Sequence, residues 1–264
     1  MGFARCNDCR KRPRFRLNGD IPAGLLRGRR GFARLDCSTT AGRCVGLEAR
    51  VRVNRHSLRI QSLAVGLSAL AGYVDASGLI ALHGYFVSFM SGNSTRLAVG
   101  IAEDWSQVSL VAGLMGTFVA GVVVGLLTGH FAGTRRSVVV LALVSVLLGA
   151  AAAFGMARMR GTAIIAMGLA MGAENATFGR DGEVQIGLTY MTGTLVRVGQ
   201  RVAAALLGNA PLAWLPYLLM WCGLVAGAVV GALVYPRLGF ASLWIAAFAA
   251  ASLAVFAVKA RLPD

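Results

Sequence analysis

Eight apolar stretches, each close to twenty residues long, recur along this chain of 264 residues: 60–82, 84–102, 107–129, 137–157, 161–178, 185–207, 212–235 and 240–258. A helix rises about 1.5 Å per residue and the hydrocarbon core of a bilayer is about 30 Å thick, so runs of this length are what membrane spans need. The connections are short and rich in Gly, Arg or Asp, which leaves no loop able to hold a soluble domain. Composition agrees, with 56% hydrophobic and only 14% charged residues, where a soluble domain carries about a quarter charged. The expected fold class is an all-α, multi-pass integral membrane protein, not an ordinary soluble enzyme.

The net charge of +15 is concentrated at one end. Residues 1–57 hold 14 basic and 4 acidic side chains and show no sustained apolar period, so no element is expected there. An Arg-rich run of this kind can bind nucleic acid or anionic lipid. Cys6 and Cys9 form a C-x-x-C, but Cys37 and Cys44 are not a second tight pair, so neither a metal site nor a nucleic-acid partner is expected. No apolar core follows the basic run in the manner of a secretory signal. Lys is nearly absent (Lys11 and Lys259 against 24 Arg) and no Met occurs between Met1 and Met90. Residues 1–57 therefore read as a disordered extension, and the natural start is expected further on, near Val51, Val53 or Leu58. The membrane domain is residues 58–264, and basic charge ahead of it favours a cytoplasmic N-terminus.

Six of the stretches are plain spans. The second and sixth carry polar patches at their centres, Ser88 to Arg96 and Thr189 to Arg197. Arg at a helix centre costs about 2.5–3.5 kcal/mol on insertion scales, so something must offset it.

The two patches are copies. At an offset of 101, Met90-Ser91-Gly92-Asn93 lies over Met191-Thr192-Gly193-Thr194, and Arg96 over Arg197. Upstream, Gly72 to Ser77 lies over Gly172 to Thr177 at offset 100; downstream, Val119 to Gly125 lies over Val225 to Gly231 at offset 106. These collinear matches define repeat one, 58–158, and repeat two, 160–261. Internal repeats with a midplane site built from interrupted helices are common in secondary transporters. If the second and sixth segments are broken or re-entrant, six full spans remain and the repeats are inverted. If all eight segments span, the repeats are parallel. With a cytoplasmic N-terminus the six-span arrangement puts Arg135, Arg136 and Arg180 inside but Arg158, Arg160 and Arg237 outside, so loop charge decides weakly.

At these residues the chain resembles a known family, the YoaK-like bacterial multi-pass membrane proteins, also catalogued as domain of unknown function number 1275. The resemblance rests on Ala71 to Ala76, Met90 to Asn93, Gly168 to Gly172 with Asn175-Ala176, and Tyr190 to Arg197. It covers about residues 60–260, and members usually have Thr where Ser91 stands. It implies an integral protein of the bacterial inner membrane and supplies no activity.

The candidate site follows from the patches. Asp75, Met90, Ser91, Gly92, Asn93 and Arg96 come from repeat one; Glu174, Asn175, Met191, Thr192, Gly193, Thr194 and Arg197 come from repeat two. Two carboxylates and two guanidiniums can balance in a shared cavity, which relieves a desolvation cost that a lone Arg could not escape. In the functional reading Arg96 and Arg197 contact a small polar or anionic solute, with Asp75 and Glu174 as counter-charges or proton carriers. In the competing reading they are two buried salt bridges in a structural or partner-binding subunit. Gly92 and Gly193 suit either an unwound point or close helix packing. Gly121-x-x-x-Gly125 and Gly227-x-x-x-Gly231 read as packing faces. His56, His83 and His130 sit at segment edges, and no catalytic or phosphate-binding motif occurs, so catalysis and cofactors are not expected. The partners expected are the bilayer and a small solute, and the oligomeric state stays open, a homo-oligomer included.

Overall fold

Glycines decide where the helices of this chain touch and where they turn. The structure, a computed structural model, describes the backbone of residues 40–103, 105–180, 183–184, 191–208 and 210–260, and the side chains of 58–103, 105–178, 191–208 and 210–260. The described helices are α1 (Thr40–Ala81), α2 (Met90–Glu103), α3 (Val108–Ala132), α4 (Arg136–Met156), α5 (Arg160–Glu174), α6 (Met191–Leu206), α7 (Leu215–Leu238) and α8 (Leu243–Ala260). Turns of 3₁₀ helix lie at Trp105–Gln107, Gly133–Arg135, Asn175–Phe178 and Gly239–Ser242. Two-residue strands β1 (Gly179–Arg180) and β2 (Glu183–Val184) pair antiparallel.

The helix α1 begins at Thr40, well before the first apolar stretch, which corrects the expectation of no element ahead of Leu58. Lengthening an existing helix adds one bond per residue fixed and needs no apolar stripe, and residues 40–57 contain no Pro. The expected disorder of residues 1–39, with Cys6, Cys9 and Cys37, lies outside the described residues.

Three continuous stretches are long and apolar enough to cross a membrane: Leu58–Ala81, Trp105–Met156 and Leu215–Ala260. The latter two are helix pairs, α3 with α4 and α7 with α8. Each pair is reversed at a glycine with positive φ, Gly133 at 54° and Gly239 at 57°. A side chain at that φ is strained, and glycine is not. These two glycines are 106 residues apart, the offset found for the downstream sequence match.

On α3 the row Val119, Val123, Leu127 and Phe131 is at least half exposed, while Gly121, Gly125 and Gly129 on the other side are buried. An exposed apolar row of that size belongs against lipid. The inward glycines explain the contacts. A methyl at Gly121 would overlap the Leu169 carbonyl, and one at Gly125 would meet the backbone of Ala173, so α3 lies backbone to backbone on α5. A methyl at Gly227 would overlap the Ala69 carbonyl, and one at Gly231 the Tyr73 carbonyl, so α7 lies likewise on α1. From the other side, Gly172 faces the Phe118 carbonyl and Gly72 the Leu224 carbonyl. Residue order rises together in both contacts, so both pairs are parallel.

Two further contacts run the other way. Between α1 and α8 with the turn that precedes it, Arg59 donates to the Ala260 carbonyl at 3.0 Å and the Tyr73 hydroxyl to the Ser242 carbonyl at 2.9 Å, an antiparallel order. Between α4 and α8 with its preceding turn, the Ser145 hydroxyl donates to the Ala247 carbonyl at 2.8 Å, Gly149 faces Trp244 and Gly155 faces Phe240, again antiparallel. Leu63, Leu67, Val74, Leu141, Leu148, Met167, Met171 and Leu243 are fully buried, which places the core among α1, α4, α5 and α8. The helices α2, α5 and α6 are the short ones, about 21, 22.5 and 24 Å at 1.5 Å per residue, with α5 continuing into the 3₁₀ turn Asn175–Phe178.

Candidate functional site

After Ala81 the chain does not enter the next helix directly. His83 and Gly84 adopt positive φ, 52° and 113°, and the following residues run without helix to Met90. Backbone at membrane depth needs a protein partner for each N–H and C=O, because no water supplies one. Two of the expected site residues provide this. Asp75 Oδ1 accepts the Val87 N–H at 2.8 Å and the Ser88 N–H at 2.9 Å. Asn93 is fully buried; its Oδ1 accepts the Phe86 N–H at 3.1 Å and its Nδ2 donates to the Phe86 carbonyl at 2.7 Å. Asp75 lies six residues before the end of α1, about 9 Å along its axis, so residues 82–89 fold back alongside the helix they have just left. Val87 is fully buried and fills the place a methyl would take at Gly78.

Asn93→Ala strips both bonds from half-buried Phe86 and leaves its N–H and C=O unpaired, at roughly 1–3 kcal/mol per group when buried. Loss of about 2–4 kcal/mol is expected in thermal or denaturant unfolding of the purified chain, with Asn93→Asp intermediate because it keeps the acceptor alone.

The expected charge pairing of Asp75 and Glu174 with Arg96 and Arg197 does not form among the described residues. Arg96 is exposed, and its guanidinium lies over the Tyr85 ring at 5.2 Å and against Gly84. Arg197 is also exposed and lies over the Tyr217 ring at 5.8 Å. Among the described residues no ion pair joins either Arg to Asp75 or Glu174, so neither the balanced charge cluster nor the pair of buried salt bridges is present. The physical reason is that a carboxylate close to a helix-free segment meets backbone donors that have no other acceptor, whereas a guanidinium can be accommodated by an aromatic face.

The remaining positions divide by half. In repeat one, Met90 starts α2, with its sulfur 3.7 Å from Asn93 Nδ2, and Ser91 is exposed. A methyl at Gly92 would press on Phe89 and Phe86, whose rings meet edge to face with centroids 5.1 Å apart. In repeat two, Glu174 ends α5; it is fully buried and neither carboxyl oxygen has a hydrogen-bond partner among the described residues. Buried Asn175 donates to the Met171 carbonyl at 2.9 Å. Met191 and Thr194 are buried, Gly193 is half-buried and Thr192 is exposed. Thr189 and Tyr190 lie outside the described residues.

Two of the expected residues from opposite halves, Asp75 and Met191, line one cavity of about 240 Å³. From α1 it takes Gly72, Asp75, Ala76 and Leu79; from the folded-back segment, Phe86, Ser88 and Phe89; from α7, Leu224 and Ala228. Leu224 and Ala228 lie midway along α7. Sequence reading missed them and the two Phe residues, although the i, i+4 spacing of Leu224 and Ala228 beside Gly227 was a signal for one helix face. Arg96, Arg197 and Glu174 are not in the lining.

Comparison with known proteins bears on the whole membrane domain. The chain is 35% identical over 216 residues to a UPF0700 transmembrane protein of Rhizobium meliloti (strain 1021), a match covering 80% of this chain and 91% of that protein. No solved structure matches. The family model described as "Protein of unknown function (DUF1275)" matches residues 63–256. With its apolar, lipid-facing helices and its relative of nearly full length, the chain belongs to the DUF1275 family of transmembrane proteins.

Proposed function

We propose that this chain is a secondary transporter of a small solute in the bacterial inner membrane, with no catalytic step and a cytoplasmic N-terminus. Its solute site is the cavity at Asp75. The observation that carries this reading is that the cavity draws on both polar motifs, Asp75 with the folded-back segment from one half and Met191 from the other. A cavity between repeats, at points where helices are interrupted, is where transporters of duplicated sequence bind their solutes.

The reading includes six full spans, α1, α3, α4, α5, α7 and α8, with α2 and α6 as broken segments, and inverted repeats 58–158 and 160–261. Contact directions support it. The α3 on α5 contact and the α7 on α1 contact use residues that correspond at offsets of 100 and 106. The repeat-related helices α4 and α8 cross antiparallel through Ser145 and Ala247, 102 positions apart. An operation that carries a helix onto an antiparallel partner reverses direction through the membrane, which is what inverted topology means.

A second reading has one observation in its favour: both backbone bonds to Asp75 serve to hold the chain, as they would in a structural or partner-binding subunit. Labelling decides between them. In the full chain with its native cysteines replaced, single cysteines at 104, 159 and 237 are expected to label from one face and those at 134 and 182 from the other. A cysteine at Ser88 is expected to react with a membrane-impermeant thiol reagent, because a transport cavity is hydrated. Labelling of 237 from the face of 134 means eight spans and parallel repeats. An unreactive position 88 in a six-span chain favours the structural subunit.

A further inference from the structure

Among the described residues, the lining of the Asp75 cavity contains one ionisable group, and it is acidic. The Val87 and Ser88 N–H groups reach Asp75 at Oδ1, and the Phe89 N–H and the Ser88 hydroxyl also donate toward its carboxyl, all of them neutral donors. A carboxylate offers about four lone-pair sites, and neutral donors leave its net charge in place. The guanidiniums that could have neutralised it are engaged at Tyr85 and Tyr217. The rest of the wall is apolar apart from Ser88, with small residues at Gly72, Ala76 and Ala228 and two aromatic rings.

From this wall we infer that the cavity binds a small organic cation, a protonated amine on a compact apolar body. The inference rests on the transport reading of the cavity and names its solute class. An anion would enter a site with a negative group and no positive one. A calcium ion takes 6–8 oxygen ligands, and among the described lining residues only Asp75 and Ser88 have side-chain oxygens. A proton alone needs no cavity. An ammonium placed at Asp75 finds its counter-charge, and its apolar body finds Phe86, Phe89 and Met191. The aromatic faces add attraction for a weakly hydrated cation, and the polarisable thioether adapts to its shape. A volume of about 240 Å³ falls just below the roughly 300–1,000 Å³ of pockets that hold larger ligands, which limits the body to about one ring.

Three probes with one ring and different charge test this: benzylamine, benzyl alcohol and benzoate, titrated by calorimetry into the full chain in lipid nanodiscs. Benzylamine is expected to bind at least tenfold more tightly than either of the others. Asp75→Asn is expected to abolish that preference while keeping the fold, since its amide oxygen still accepts the Val87 and Ser88 N–H groups. Should Asp75→Asn fail to fold, Phe89→Ala is the second variant, expected to weaken benzylamine several-fold through loss of the aromatic wall. Equal or tighter binding of benzoate or benzyl alcohol overturns the charge assignment and leaves the transport reading standing, as does a folded Asp75→Asn that keeps the preference. Binding of none of the three overturns the inference too. Transport is then judged separately by the labelling pattern and by the reactivity of position 88.

Discussion

Gly121→Ala and Gly227→Ala are expected to destabilise this protein severely and by similar amounts, while Gly113→Ala leaves it unharmed. At Gly121 the added methyl lands on the Leu169 carbonyl, and at Gly227 on the Ala69 carbonyl. Side chains can retreat from an overlap, but here the obstacle is the backbone of a packed helix, so two helices must separate along their whole contact. The cost should reach or pass the ~3 kcal/mol upper end of ordinary overpacking, a large part of a total stability of about 5–15 kcal/mol. Gly113 is on the same helix as Gly121, but its added methyl would meet nothing within 4 Å. There the substitution gains up to about 1 kcal/mol of helix propensity. Melting of the detergent-solubilised variants, followed by size-exclusion chromatography, gives the comparison. If Gly121→Ala melts with Gly113→Ala, the close approach of α3 to α5 is wrong. If Gly227→Ala alone is harmful, the two contacts are not equivalent and the case for an inverted pair weakens.

These glycines also mark how far the sequence could be read. Small-x-x-x-small spacing at Gly121/Gly125 and Gly227/Gly231 announced packing faces, because only small residues let helix backbones meet. It could not say which helix each would meet, since spacing describes one surface and not its partner. The apolar runs located the long helices for the same one-sided reason: length against bilayer thickness needs no knowledge of neighbours. Asp75 and Asn93 were picked out because polar residues at bilayer depth need a reason, and Met191 because it opens the duplicated motif. The pairing was misread. Matching the carboxylates to the guanidiniums by charge overlooked a stronger demand on Asp75, the unpaired N–H groups of Val87 and Ser88 in a segment that is not helical. Nothing in the residue types there reports that the helix ends at Ala81 and folds back, so the acceptor role of Asp75 became visible only with the chain path.

Glu174→Met is expected to stabilise the fold, and Asp75→Met, the same kind of change at the carboxylate of the other half (which lies over the neighbouring Asn175), to destabilise it. Glu174 buries both carboxyl oxygens with no hydrogen-bond partner among the described residues. A polar group in that state costs roughly 1–3 kcal/mol by mutational measures, and replacing it with an apolar side chain of similar volume recovers that. For a chain of this size each kcal/mol is worth about 2–4 °C in Tm, so a rise of several degrees is the expected reading. Asp75→Met instead strands the Val87 and Ser88 N–H groups and should cost about 2–4 kcal/mol. Opposite signs at these two carboxylates would separate their roles: one holds the folded-back segment, and the other is retained against its own cost to stability. Groups kept at such a cost inside membranes mark solute or proton pathways, so the stabilised Glu174→Met should also lose solute flux in proteoliposomes. A stabilised variant with flux intact makes Glu174 dispensable, and a destabilised one means that its carboxyl is bonded after all.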